Sequence, residues 1–136
     1  MATSKLQHRP AEVPKQPEAV AEAARAKQKC LAEWLALRRE EILEPDLPII
    51  DSHHHLWWRP GFPYLLDEFL ADVKTGHDVR ASVFVDCGSF YRKTGPALMA
   101  PLGQLEFANG IAAMAASGTY GKTLVCAGIV STADLT

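Results

Sequence analysis

The residues with the clearest capacity for chemistry lie in segment 49–58, which reads IIDSHHHLWW. The apolar start of this segment predicts a β-strand that reaches His55, and the side chains of a strand alternate between two faces. Alternation predicts that Asp51, His53 and His55 share one face and that His54 points away. Two imidazoles and a carboxylate at a strand's end suit a divalent cation. The pattern predicts His53 and His55 as metal ligands, with Asp51 and His54 in supporting positions.

The strand with the histidines is the first of three predicted β/α units. Strands are predicted at Ile49–His55, Val79–Gly88 and Thr123–Ser131, with helices at Tyr64–Lys74 and Pro101–Ser117. The second and third strands are apolar at consecutive positions, which is typical of strands covered on both faces. Strands that alternate with helices predict parallel pairing with right-handed crossovers. The order fits an open doubly wound sheet or part of a β/α barrel, and a complete barrel needs about 250 residues.

The N-terminal third of the chain predicts a tail and a helix rather than part of the sheet. Residues 1–17 contain three prolines among polar residues, which predicts a flexible tail. Residues 18–44 consist mostly of good helix formers. Pro45 ends this segment, because the residue before a proline avoids helical geometry. The helix has an apolar stripe, which comprises Val20, Ala24, Leu31, Leu35 and Ile42. This stripe predicts that the helix covers the main domain, residues 48–136.

Composition narrows the class of partner. The formal net charge is -2 and the sequence pI is about 6.2, and no basic cluster indicates nucleic acid or an anionic membrane surface. No run approaches the roughly 20 apolar residues of a membrane span, and the N-terminus has no apolar signal core. We therefore expect a cytoplasmic protein with a small-molecule substrate. A homo-oligomer is among the expected partners, and the sequence leaves the oligomeric state open.

The three cysteines predict thiols rather than a disulfide framework. Cys30, Cys87 and Cys126 are widely spaced and odd in number, and no C-x-x-C pair is present. The interpretation that this favours is reduced, buried thiols without a catalytic role.

Three polar residues at the end of the second strand and on the loop after it are further candidates for the site. Asp86 lies at the end of that strand, at the edge where α/β proteins place their chemistry, and is a candidate for contact with substrate or metal. The alternative for Asp86 is a structural carboxylate, hydrogen-bonded to a neighbouring loop. Tyr91 and Arg92 are candidates for binding a substrate carboxylate or hydroxyl. The alternative is that both are exposed loop residues without a role.

Residues 51–57, DSHHHLW, resemble the D-x-H-x-H-[LF]-W signature of the amidohydrolase-2 branch of the amidohydrolase superfamily. The segments VFVDCGSFYR, GQLEFANGIAAM and VCAGIVSTADLT are similar to the second and third β/α units of its lactonase-like members. The resemblance extends from Pro48 to Thr136. It implies the N-terminal part of a (β/α)8 TIM barrel, with about three β/α units preceded by an extra helix.

The resemblance also implies a metal-dependent hydrolase. His53 and His55 would be ligands of a divalent metal, with zinc expected, and such a metal polarises a carbonyl and activates water. Lactonase-like members open a lactone or related cyclic ester, and some need no metal, so that the same positions hydrogen-bond the substrate. Other relatives are decarboxylases. The family's later histidine ligands and its aspartate base would lie beyond Thr136, which leaves an inactive fragment as a further alternative.

Overall fold

Three parallel strands with two crossover helices form the body of the protein. The computed structural model describes residues 17–133, and the tail predicted over 1–17 lies outside them apart from Pro17. The strands have the order β1-β2-β3, and both pairs are parallel. The predicted α/β alternation and parallel pairing are confirmed. The elements are α1 Pro17–Leu35, β1 Pro48–His54, α2 Leu66–Val73, β2 Asp78–Val85, a 3-10 turn Ala97–Met99, α3 Leu102–Ala116 and β3 Leu124–Val130.

One continuous core joins α2 and α3 to one face of the sheet. Phe84 of the central strand is 1% exposed, and Phe69 of α2 and Ile111 of α3 belong to the same apolar cluster. At the start of α2 the Glu68 carboxylate accepts the backbone N–H of Leu65 at 2.9 Å. A carboxylate in this position also interacts favourably with the helix dipole. The short helix α2 is thus held by its first turn and by its buried face.

The opposite face of the sheet, which we call the helix-free face, is apolar and open. A Cβ built on Gly128 would lie 3.3 Å from Cγ2 of Val83, so this pair marks the face. Strand register places Ile50, Leu124 and Val130 on the same side. These three side chains are 68%, 50% and 53% exposed. The prediction that the second and third strands are covered on both faces is therefore wrong within residues 17–133, because both crossover helices lie on one side.

Helix α1 is shorter than predicted and does not cover the sheet. It ends at Leu35 instead of continuing to Glu44, and the chain then runs without regular structure to β1. Ile42 lies close to Gly76, where a Cβ would meet its Cδ1 at 2.4 Å. Because this packing requires a chain that leaves the helical path, tertiary contact overrides the helix propensity of residues 36–44. Val20, Leu31 and Leu35 are 46%, 53% and 58% exposed, so most of the apolar stripe has no partner among the described residues.

The first turns of α1 contact the body of the protein at the turn that contains Gly61. Ala21 is 5% exposed, and it lies against the turn at Gly61. Gly61 has φ +74°, and a Cβ there would lie 2.2 Å from the carbonyl oxygen of Ala21. Only glycine allows both this backbone conformation and this close approach.

We expect Gly61→Ala to destabilise the protein more than Gly118→Ala. Both glycines have nearly the same φ, +74° and +76°, but a Cβ at Gly118 meets nothing within 4 Å. Gly118→Ala therefore measures the left-handed strain alone, about 1–2 kcal/mol, whereas Gly61→Ala adds a clash of about 1–3 kcal/mol. Urea unfolding of both variants gives the difference. Equal losses would contradict the contact between α1 and this turn.

The thiols differ in exposure. Cys126 is buried, Cys87 is partly buried and Cys30 is exposed on α1, and the described residues form no disulfide. The expectation of buried thiols is therefore wrong for Cys30, because the part of α1 that carries it packs on nothing in residues 17–133. No helix in that range is long and apolar enough to cross a membrane.

Candidate functional site

His53 and His55 meet at the carboxyl end of β1, and we call them the imidazole pair. Their Nε2 atoms are 3.2 Å apart, and the two rings are perpendicular with centroids 4.9 Å apart. Two nitrogen ligands of a tetrahedral zinc ion, each at 2.0–2.1 Å, are separated by about 3.3 Å. The spacing therefore fits two ligands of one ion. It equally fits a hydrogen bond in which one ring N–H donates to the other ring's lone pair.

A backbone carbonyl of the central strand fixes the orientation of His55. Nδ1 of His55 lies 2.8 Å from the carbonyl oxygen of Val85. A carbonyl only accepts, so Nδ1 carries the proton and the lone pair of the neutral ring lies on Nε2. Histidines that bind metals in proteins use the same arrangement, with the second nitrogen donating to a carbonyl or carboxylate. In this tautomer Nε2 of His55 can bind a cation or accept a hydrogen bond.

Asp51 lies on the other side of the strand from the imidazole pair. Asp51 pairs with Ser82 and His54 with Phe84, so β1 contains one residue more than β2 over this interval. Such a bulge interrupts the alternation of side chains. The predicted common face for Asp51 and the pair is therefore wrong, because the register places Asp51 with His54. Its carboxylate accepts the backbone N–H of His53 at 3.1 Å and so supports the end of the strand.

His54 is part of the core. It is 7% exposed, its ring lies 4.4 Å from that of Phe69, and Nδ1 donates to the carbonyl of Val83 at 3.0 Å. Burial lowers the pKa of His54 below its usual value. Burial also raises the pKa of Cys126 to about 12, so its thiol keeps the proton and donates to Nε2 of His54 across 3.7 Å. His54 is therefore a neutral packing residue that points away from the pair.

We expect the pKa of His54 to make stability depend on pH. The unfolded ring gains a proton near pH 6.5, whereas the folded ring resists protonation until lower pH. The stabilising contribution is complete above about pH 6.5 and falls as pH drops below it, by up to about 1.4 kcal/mol per pH unit. Urea unfolding between pH 7.5 and 5 measures this slope. His54→Phe should flatten it and His77→Phe, at an exposed position, should not; an unchanged slope in His54→Phe would refute the assignment.

The carboxylate of Asp86 organises the loops after β2 and β3. The hydroxyl of Tyr91 donates to both of its oxygens at 3.1 Å. The backbone N–H groups of Gly88 and Thr132 donate to it at 2.9 and 3.4 Å. This is the loop-bonded arrangement that the sequence left as an alternative. A catalytic role for Asp86 stays a prediction, and it requires a substrate or ion to take the place of one of these donors.

Tyr91 and Arg92 both have partners. Burial and the bond to Asp86 raise the pKa of Tyr91, so its hydroxyl remains a donor at neutral pH. The Arg92 guanidinium forms a two-pronged ion pair with the Glu106 carboxylate of α3, and this pairing raises the pKa of Arg92. A substrate carboxylate would have to compete with Glu106 for Arg92. Substrate binding by these two residues also stays a prediction.

A cleft of about 600 Å³ lies between the loops after β1 and β2. Its lining includes Arg59 and Lys93, one from each loop, together with Trp58 and Tyr91. Neither Arg59 nor Lys93 pairs with a carboxylate in the described part of the chain. We call this the cationic cleft. In the sequence, this cleft is indicated by basic residues close to aromatic residues in each loop. The segments are W-W-R after β1 and F-Y-R-K after β2.

The imidazole pair is incomplete as a metal centre within residues 17–133. No group of three or more His, Cys, Asp or Glu side chains there is arranged to hold an ion. The donor set that can be described therefore comprises the two Nε2 atoms. It suits a borderline cation such as zinc, which imidazole binds readily.

The fold and the site define a mixed α/β protein whose open parallel sheet carries an imidazole pair at the carboxyl end of its first strand. Comparison with protein-family models, curated proteins and solved structures gave no match. Membership of the amidohydrolase-2 branch, which the similarity of DSHHHLW to its signature implies, therefore stays a prediction.

Proposed function

We propose that this chain is the N-terminal part of a (β/α)8 hydrolase of the amidohydrolase-2 type, which opens a lactone or related cyclic ester. The observation that carries the proposal is the convergence of Nε2 of His53 and of His55 at 3.2 Å, at the end of a parallel strand. Parallel α/β folds place their chemistry at this end of the sheet.

The helix-free face is consistent with a barrel segment, and also with one half of a doubly wound sheet. A barrel has its helices outside and fills its interior with branched side chains from the strands. Here α2 and α3 share a core on one face, and Ile50, Leu124 and Val130 stand on the other. A complete doubly wound sheet has helices on both faces, but the helices of each of its halves share one face. The sidedness of this sheet therefore fits both architectures, and the proposal of a barrel rests on the resemblance of DSHHHLW to the amidohydrolase-2 signature.

In the proposed site the imidazole pair would hold a divalent metal, with zinc best suited to two nitrogens. The bound ion would supply a polarised carbonyl and an activated water. Val85 would fix the ring of His55 through its carbonyl, and Asp86 would hold the Tyr91 hydroxyl near the rim. Further ligands and a general base would come from outside the described residues. In a metal-independent form, one ring of the pair would donate to the substrate and the other would accept.

Lactone hydrolysis by the full-length protein tests the proposal. Wild type, His53→Ala and His77→Ala are assayed on sugar and aromatic lactones, with and without added Zn²⁺. We expect ring opening by wild type and by His77→Ala, whose exposed histidine lies apart from the pair, and none by His53→Ala. Equal turnover by His53→Ala would remove the role assigned to this residue.

A decarboxylase on the same barrel is the second candidate, and the cationic cleft favours it. Arg59 and Lys93 offer two positive charges to a substrate that carries a carboxylate. Release of carbon dioxide from aromatic carboxylic acids, without hydrolysis of any lactone, would select the decarboxylase. Ring opening without release of carbon dioxide would select the hydrolase.

A further inference from the structure

Gln104 is a fully buried amide in the first turn of α3. Its side chain is 0% exposed, which is uncommon for glutamine because burial removes the hydrogen bonds that the amide makes with water. Buried polar side chains are found where the surrounding structure supplies the missing partners. The partners of Gln104 therefore indicate what this residue holds in place.

The hydrogen bonds of Gln104 converge on the turn after β2. Oε1 accepts the backbone N–H groups of Cys87 and Gly88, each at 3.3 Å. Nε2 donates to Sγ of Cys87, also at 3.3 Å. Because β2 ends at Val85, these two N–H groups lie beyond the strand. For Cys87 the amide of Gln104 supplies the acceptor that the sheet ladder supplies elsewhere, whereas the N–H of Gly88 is shared between Gln104 and the Asp86 carboxylate.

Cys87 continues the connection to the loop after β1. Its Sγ donates to the carbonyl of Leu56 at 3.3 Å, and Leu56 is 0% exposed and directly follows His55. The series Gln104–Cys87–Leu56 thus ties α3 to the peptide next to His55. It runs beside the bond from the His55 ring to the Val85 carbonyl. The two residues that follow β1, His55 and Leu56, are therefore each joined to the end of β2 and the turn after it, one through an imidazole and the other through a thiol.

We propose that Gln104 is a positioning residue that sets the spacing of the imidazole pair through Cys87 and Leu56. The inference rests on the proposed function, because the spacing matters where both Nε2 atoms bind one ion. An apolar residue of similar size would fill the same volume but would leave the backbone N–H of Cys87 unpaired and that of Gly88 with the Asp86 carboxylate alone. The turn would then shift to find new partners, and Leu56 and His55 would move with it.

The test uses variants of the complete chain. Gln104→Met keeps the volume and removes the hydrogen bonds, Gln104→Glu keeps the acceptor oxygens, and Cys87→Ala removes the thiol link alone. Ile111→Val is the matched control, because it alters a buried apolar residue of the same helix that is 7% exposed. The readouts are Co²⁺ affinity from the visible spectrum, the imidazole ¹⁵N shifts of His53 and His55 without metal, and the hydrogen exchange of the Cys87 and Gly88 amides.

We expect Gln104→Met to lower Co²⁺ affinity by about 10- to 100-fold, as loss of outer-shell partners does elsewhere. It should also shift the imidazole ¹⁵N resonances and speed exchange at Cys87, with a smaller effect at Gly88, whose N–H retains the Asp86 carboxylate. Gln104→Glu should retain more Co²⁺ affinity than Gln104→Met. Cys87→Ala should lower the affinity in the same direction but by less. Ile111→Val should change none of the three readouts. Should Gln104→Met fail to fold, Cys87→Ala decides in its place.

Two results separate this inference from the proposed function. A wild type that binds no Co²⁺ contradicts the metal centre alone, and the ¹⁵N shifts of the metal-free chain then decide the role of Gln104. Unchanged imidazole shifts in Gln104→Met and Cys87→Ala overturn the positioning role, whatever the metal does. Equal shifts in Ile111→Val also overturn it, since they indicate general loosening.

Discussion

His53→Ala and His55→Ala should each weaken the binding of Zn²⁺ or Co²⁺ by more than about 100-fold, because loss of an outer-shell partner alone costs 10- to 100-fold. Each variant leaves one Nε2 atom where the wild type offers two at 3.2 Å. With a single imidazole the ion loses the chelate geometry. It must then replace a protein ligand with water.

Metal titration of the three single variants checks this expectation. Calorimetry with Zn²⁺ gives affinities, and the visible spectrum of Co²⁺ reports the coordination number and geometry of the ion. His77→Ala is the matched control, because this histidine is exposed in the turn before β2. It should leave both measurements unchanged. Metal binding that survives both His53→Ala and His55→Ala, or that is lost in His77→Ala, would place the ion elsewhere.

Phe84→Ala should cost about 3–5 kcal/mol of unfolding free energy, the usual range for deleting a buried aromatic side chain. Phe84 is 1% exposed in the central strand, and its ring meets that of His54 edge-on with centroids 5.8 Å apart. The cavity would open where both crossover helices meet the sheet. Native domains have about 0.05–0.15 kcal/mol of stability per residue, so the loss is a large fraction of the total.

Leu124→Ala is the control for the core substitution. Leu124 lies on the helix-free face and is 50% exposed, so its truncation should cost much less than that of Phe84. Urea unfolding monitored by tryptophan fluorescence measures both. A loss from Leu124→Ala as large as that from Phe84→Ala would mean that the helix-free face is covered in solution.

The sequence predicted the order of the elements because each β/α unit carries its own local signals. The parallel strands follow from apolar runs separated by helical spacing, and α3 was found within a residue at each end. The end of α1 was not predictable from these signals. An apolar stripe shows that a helix has a face to bury, but it does not show that anything packs against it. The path of residues 36–47 depends on the contact of Ile42 with Gly76, which is a tertiary effect.

The candidate site was predicted in part for a similar reason. The period of two brought His53 and His55 together, because no irregularity separates them. The bulge between Asp51 and His54 depends on pairing with β2, and no residue type in the strand indicates that a bulge will form. The carbonyl of Val85 that orients His55 is a backbone group without a sequence signal. Gln104 had a weak one, since it is one of three polar side chains in a mostly apolar helix, together with Glu106 and Asn109.

The helix-free face has a consequence for the heat capacity of this chain. Unfolding normally raises heat capacity by about 12–15 cal/mol/K per residue, mostly because apolar surface becomes hydrated. Ile50, Leu124 and Val130 are already half or more exposed in the folded chain. The increment should therefore be smaller than usual, and the curve of stability against temperature should be flatter. A partner that covered this face would restore the increment and make the stability curve steeper.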